Sequence, residues 1–101
     1  MNLTLATFHY TASAAKVMEC EDAPALKFQI YHRPGAPKAG IMTYASIEDK
    51  WIEVGWVPEK KKEEVLEMCG GRPERLRVTL KEAYVKRGYS VMKVEAALAE
   101  D

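Results

Sequence analysis

The chain has 101 residues, which suits one small domain, and we expect residues 1–101 to form a single α+β domain. Its apolar fraction of 48% and charged fraction of 30% are ordinary for globular proteins and argue against intrinsic disorder. Fifteen basic residues balance fifteen acidic ones, so the chain lacks the excess of cations that drives strong non-specific DNA binding.

The first thirty residues predict a strand, a helix and a second strand. Residues 2–9 alternate in hydrophobicity as a half-buried strand does. A short helix, capped by Thr11 or Ser13, is expected next, although a strand over 16–20 fits the pattern nearly as well. Alternation then predicts a strand over 26–31.

The middle of the chain predicts two more strands and a helix. A loop with two prolines and two glycines, residues 32–40, leads to a strand over 41–44, and a charged turn leads to a strand over 50–57. These connections are too short for parallel crossovers, so we expect the strands to pair antiparallel. A helix then covers 58–69 and ends at Gly70 in a left-handed cap.

The last third of the chain permits two interpretations. Apolar residues between Leu76 and Tyr84 follow a helical period and predict a helix that begins at Pro73. The alternative is a strand over 75–79 followed by a helix that begins with the Thr-Leu-Lys-Glu capping box. Residues 89–94 are expected to be extended, and the tail after them helical or frayed.

These elements predict a small α+β domain. We expect an antiparallel sheet of four to five strands with two or three helices packed on one face. No stretch approaches the about 20 apolar residues that span a membrane, and the small residues near Ala14 lack the preceding positive charge of a signal peptide. We therefore expect a cytoplasmic chain that does not contact membranes.

The candidate catalytic and metal-binding residues lack the expected environments. Neither cysteine is placed for a low pKa, since Cys69 ends a helix and Cys20 lies between two glutamates. Neither cysteine lies within zinc-site spacing of His9 or His32, so no metal or cofactor is expected. The paired carboxylates fall in polar turns or on a solvated helix face, and they lack the burial or close partner that catalytic carboxylates need. We therefore expect a protein that is not an enzyme.

The aromatic and basic residues of the predicted sheet form the candidate binding surface. We expect Tyr31, Tyr44 and Trp51 to share one sheet face with Lys27 or Lys50, beside cations of the following loop. In the strand over 50–57, Ile52, Val54 and Trp56 are expected to face the other way. The candidate site comprises Tyr31, His32, Arg33, Lys38, Tyr44, Lys50 and Trp51.

Such a surface suits a protein interface, and we expect a non-enzymatic module that contacts a protein partner or a second copy of itself. It could act as an adaptor, an inhibitor or an accessory subunit. The first alternative is single-stranded nucleic acid, whose bases stack on aromatic side chains with basic neighbours. The second is a DNA-binding regulator with a helix-turn-helix unit over about 78–98, suggested by the spacing of apolar residues around Gly88.

Overall fold

The computed structural model describes residues 1–99, which form six strands and two α-helices. The strands are β1 (Asn2–Thr4), β2 (Leu26–Tyr31), β3 (Gly40–Ile47), β4 (Lys50–Trp56), β5 (Leu76–Lys86) and β6 (Tyr89–Leu98). The helices are α1 (Thr11–Met18) and α2 (Glu59–Cys69), and a 3₁₀ turn covers Pro73–Arg75. The antiparallel sheet with helices confirms the predicted α+β class, although the sheet has more strands than the four to five expected.

The six strands form one antiparallel sheet in the order β1-β6-β5-β2-β3-β4. It has two three-stranded halves, because a single ladder pair, Leu26 with Val78, joins β2 to β5. On the opposite side, the segment after β1 reaches β4, where Ala6 and Trp56 exchange backbone hydrogen bonds of 2.8 and 2.9 Å. The sheet is therefore curled until its two edges touch, and its inner face encloses the core.

Gly55 allows the edges to approach this closely. A Cβ at this position would lie 2.9 Å from the carbonyl oxygen of Ala6 and 3.0 Å from Cγ2 of Thr7. The contact with the backbone oxygen is shorter than real Cβ atoms essentially ever show, so a residue without a side chain suits this position. The same segment is fastened to β6, because the Thr7 hydroxyl donates to the Ser90 carbonyl at 2.8 Å.

One cluster of buried side chains lies between the inner face of the sheet and the two helices. Helix α1 contributes Ala14 and Val17, and α2 contributes Val65 and Cys69. The strands contribute their inward-pointing residues, among them Leu3, Leu26, Phe28, Ile41, Ala45, Val54, Leu76, Val78, Met92, Val94 and Ala96. Both helices thus pack on the inner face, and the outward face of the sheet has no helix on it within residues 1–99.

The two helices agree with the predicted ones at most positions. Helix α1 resolves the alternative left open for residues 11–20 in favour of a helix. Helix α2 ends at Gly70, whose φ of 63° is the predicted left-handed cap. The Lys62 ammonium on α2 is largely buried, 2.9 Å from the Glu59 carboxylate and 3.1 Å from the Ala39 carbonyl. No helix within residues 1–99 is long and apolar enough to cross a membrane.

The C-terminal third differs most from the prediction. Residues 76–86 form strand β5, so both predicted helices in this region are wrong, although the alternative strand over 75–79 is confirmed. A β-bulge explains the error: the register shifts between Leu80 and Glu82, and the extra residue interrupts the alternation of the strand. Strand β6 likewise runs to Leu98, and the predicted structure of residues 100–101 lies outside the described residues.

Strands β5 and β6 form one long hairpin. Its two-residue loop consists of Arg87 and Gly88, whose φ values of 51° and 81° are those of a type I′ turn. The segments that the helix-turn-helix hypothesis requires as helices are the strands of this hairpin. That alternative therefore has no helical unit within residues 76–98.

Candidate binding surface

The outward faces of β2, β3 and β4 bring four aromatic side chains together. We name these side chains, Tyr31, Tyr44, Trp51 and Trp56, the aromatic face. Paired residues of antiparallel strands point to the same side of a sheet, so the register places them together. The pairs on this side are Lys27–Tyr44, Gln29–Met42 and Tyr31–Gly40 between β2 and β3, and Met42–Trp56, Tyr44–Glu53 and Ser46–Trp51 between β3 and β4.

Lys27 is the cation that packs against the aromatic face. Its ammonium lies 4.3 Å from the centre of the Trp51 ring and 5.7 Å from that of Tyr44. Both distances are within the range of a cation–π interaction. Lys50, the other lysine considered for this face, pairs with Ile47, whose side chain packs against the core. The structure thus groups Lys27 with the aromatic residues and places Lys50 on the other side of β4.

A bulge in β4 brings Trp56 to the same side as Trp51. Tyr44 pairs with Glu53 and Thr43 pairs with Gly55, which leaves Val54 as the extra residue. The prediction that Trp56 faces away from Trp51 is therefore wrong, because it assumed strict alternation. The Trp56 ring instead lies 5.7 Å from the Tyr31 ring, at an interplanar angle of 59°.

Trp56 packs over backbone as well as against Tyr31. A Cβ on Gly40 would lie 2.8 Å from Cζ3 of Trp56, so the indole rests directly on the glycine. Met42 lies on the same outward side and is nevertheless 0% exposed. The side chains around Met42 therefore cover it, and the aromatic face has a small packed layer of its own outside the main core.

Tyr10 extends the aromatic face from the segment before α1. Burial and the Glu53 charge raise the pKa of Tyr10, against the lowering effects of the Trp56 side chain and of the Arg33 charge. Burial and then Glu53 raise the pKa of Tyr44 as well. The Glu53 charge thus acts on two tyrosine hydroxyls, and the Arg33 charge acts on that of Tyr10.

The loop between β2 and β3 carries the remaining predicted residues. His32, Arg33 and Lys38 are all exposed there. The loop is folded back by a turn in which the Ala36 N–H donates to the Arg33 carbonyl at 3.0 Å. Its far end is held by the Lys62 contact with Ala39. The loop therefore continues from the Tyr31–Gly40 pair at one end of the aromatic face, and the charge of its Arg33 acts on Tyr10.

Besides Trp56, sequence reasoning missed three members of this surface: Tyr10, Met42 and Glu53. Tyr10 was not included because it falls between the predicted strand over 2–9 and the predicted helix, and was assigned to neither. Glu53 was placed on the same side as Trp51, but nothing in its neighbours along the chain indicated two tyrosines beside it. The only sequence signal for the bulge is Gly55, since glycine within a strand often marks one.

Two further findings bear on the chemistry of the chain. Within residues 1–99, no three His, Cys, Asp or Glu side chains lie close enough together to hold a metal ion. Cys20 is half-buried and Cys69 is buried, both as free thiols.

Comparison of the chain with protein-family models, curated proteins and solved structures finds no match. The chemistry of the aromatic face is therefore the basis for assigning a function.

Proposed function

We propose that this protein is a non-enzymatic binding module that contacts a protein partner through its aromatic face. The clustering of Tyr31, Tyr44 and Trp51 on a side that no helix of residues 1–99 covers is the observation that carries this proposal. A few residues carry most of the binding energy in a protein interface, and tryptophan, tyrosine and arginine are enriched among them. Trp51 is 46% exposed, so a partner would remove a large apolar surface from water.

The charges around the aromatic face indicate the chemistry of the partner. Lys27, Arg33 and Lys38 place cations on β2 and on the loop that follows it. A matching partner surface has an apolar centre that packs against Trp51 and acidic side chains opposite this cationic rim. Complementary charges of this kind mainly increase the association rate and suppress wrong partners.

Single-stranded nucleic acid is the second candidate, because Trp51 and Tyr44 lie beside a cation. Two features favour a protein partner over single-stranded nucleic acid. Lys27 already covers one side of the Trp51 ring, which leaves fewer free ring faces for stacked bases. Glu53 adds a carboxylate at the centre of the surface, where it would repel the phosphates of a bound strand.

Tryptophan fluorescence separates these two candidates. A single-stranded oligonucleotide is titrated into the protein at low and at high salt. The proposed protein-binding function predicts no saturable quenching at micromolar protein. Saturable quenching that weakens steeply with salt would favour the nucleic-acid alternative, because counterion release makes such binding strongly salt-dependent.

The protein partner itself is identified by a photo-crosslinking amino acid at position 51, followed by a binding assay with the purified partner. If Trp51 is a central contact, Trp51→Ala weakens binding by roughly 30-fold or more, as a residue worth about 2 kcal/mol does. Phe8→Ala is the matched control, since Phe8 is 70% exposed and lies outside the aromatic face. An equal loss in both variants would contradict the assignment of this surface.

A further inference from the structure

Strand β5 has an open edge along the second half of its length. Strand β6 pairs with it on one side as far as Lys86, whereas β2 pairs with it on the other side at Val78 alone. Residues 80–86 therefore have no strand on their second side within the described chain. Such an edge presents backbone N–H and C=O groups to any further strand.

The hairpin geometry identifies which backbone groups point to this open edge. Lys86 and Tyr89 flank the two-residue loop and form a hydrogen-bonded pair, and pair types alternate along an antiparallel ladder. The backbone groups of Glu82, Tyr84 and Lys86 therefore point to β6. Those of Ala83 and Val85 point to the open edge. Val85 is also 63% exposed, so no other part of the described chain covers its side chain at this edge.

We propose that a second copy of this chain pairs with this edge, antiparallel and centred on Tyr84, to form a two-fold symmetric dimer. In this register Ala83 and Val85 of one copy face Val85 and Ala83 of the other, and their backbone groups form four hydrogen bonds. The two Tyr84 residues face each other as a non-hydrogen-bonded pair, the type in which side chains lie closest. The dimer joins two hairpins into one continuous sheet.

Charge complementarity indicates that the strand that pairs with this edge comes from a second copy of the chain. It also favours this register over the neighbouring ones. Pairing centred on Tyr84 places Glu82 opposite Lys86 of the second copy, and symmetry repeats the pair. Opposite charges directly across a strand pair stabilise it, whereas like charges destabilise it. Glu82 is accessible for this contact: its side chain is 57% exposed, and its ion pair with Lys93 is long, at 3.7 Å.

The same charges limit how far the pairing extends. Lys81, the extra residue of the bulge, would lie opposite Arg87 of the second copy, so the paired segment ends at residues 82–86. The two neighbouring registers that suit the outward-pointing backbone groups are centred on Ala83 or on Val85. They would pair Glu82 with Tyr84 or with Gly88, so both lose the two ion pairs. The hairpin belongs to the other half of the sheet from the aromatic face, so this inference does not rest on the proposed function.

Charge reversal at the two positions tests the dimer. Light scattering of the wild-type chain should give twice the monomer mass of 11.4 kDa at high protein concentration. Glu82→Lys and Lys86→Glu should each weaken self-association by roughly tenfold or more, because each turns both attractive pairs into repulsive ones. An equimolar mixture of the two variants should dimerise again, since each then carries the charges that complement the other. Arg77→Glu on the same strand is the matched control and should remain dimeric.

Several results would overturn the proposal. These are a wild-type chain that stays monomeric up to its solubility limit, a dimer that neither reversal weakens, and reversed variants that do not recover on mixing. Tyr84→Cys gives an independent readout if a reversed variant fails to fold. Across a non-hydrogen-bonded pair the two thiols lie within disulfide distance, and oxidised glutathione should crosslink the chains rapidly. Crosslinking no faster than in Arg77→Cys would also contradict the pairing.

Discussion

The ammonium of Lys27 lies 4.3 Å from the centre of the Trp51 ring, the shortest cation–ring distance on the aromatic face. Lys27→Met keeps the apolar stem of the side chain and removes its charge. We expect this change to lower the free energy of unfolding by about 0.5–1 kcal/mol, the value of a solvent-exposed cation–π interaction. Urea unfolding measures the difference.

Lys50→Met is the control for that experiment, because Lys50 lies on the other side of β4 and is exposed. Its effect should stay within about 0.5 kcal/mol, as for surface changes in general. Equal effects of the two substitutions would show that the charge of Lys27 has no specific interaction with Trp51.

The raised pKa values of Tyr10 and Tyr44 predict a loss of stability in alkali. Both phenols have a pKa above 10.0 in the folded protein, because burial and the Glu53 carboxylate oppose their ionisation. The unfolded chain therefore releases these protons at lower pH than the folded one. Their contribution to stability is complete below pH 10 and is lost as the pH rises through the folded pKa.

Tyr10→Phe and Tyr44→Phe should each make the decrease in free energy of unfolding above pH 10 shallower than in the wild type. Denaturant unfolding at a series of alkaline pH values measures this slope. Tyr89→Phe, at a tyrosine that is 63% exposed on the hairpin, is the matched control. A slope that changes as much in the control as in the other two variants would refute the contribution of Glu53 and burial.

The contact between Gly40 and Trp56 predicts a specific steric effect. In Gly40→Ala the new methyl group would overlap the indole, so either the ring or the strand must move. We expect a loss of about 1–3 kcal/mol in the free energy of unfolding, the usual range for overpacking. In a Trp56→Leu background the same substitution should cost much less, and a double-mutant cycle measures that coupling. Additive effects would mean that the two residues do not constrain each other.

Closure of the sheet at Gly55 is tested by hydrogen exchange. Gly55→Ala places a methyl group against the Ala6 carbonyl and should break the backbone bridge between Ala6 and Trp56. The amides of these two residues should then exchange faster with solvent, while the Leu3 amide in the ladder of β1 with β6 stays protected. Unchanged exchange at Ala6 would show that the bridge does not depend on the glycine.

The sequence predicted those parts of the fold that follow from uninterrupted periodicity. Strand β2 alternates without a break from Leu26 to Tyr31, and its predicted bounds agree with the structure. The part of strand β5 from Thr79 onward was taken for a helix in both interpretations. Leu76 and Leu80 fit either period, and the bulge after Leu80 hides the alternation that distinguishes them. A bulge depends on pairing with a distant strand, which a single sequence does not reveal.

The same reason limited prediction of the aromatic face. Tyr31, Tyr44 and Trp51 were grouped correctly, because each lies at an alternating position of a strand whose neighbours were also predicted. Trp56 was predicted on the wrong side because the prediction did not include the bulge in β4. Tyr10 reaches the aromatic face because the sheet closes near Ala6. Both arrangements arise from long-range contacts that have no local signal.

The most direct test of the proposed function is photo-crosslinking from position 51 in living cells, compared with position 77 on the other half of the sheet. The proposed function predicts one dominant protein adduct from position 51 that resists nuclease, is absent from position 77 and is lost when Tyr31→Ala is added. A nuclease-sensitive adduct, or the same adducts from both positions, would contradict the claim that the aromatic face binds a protein partner.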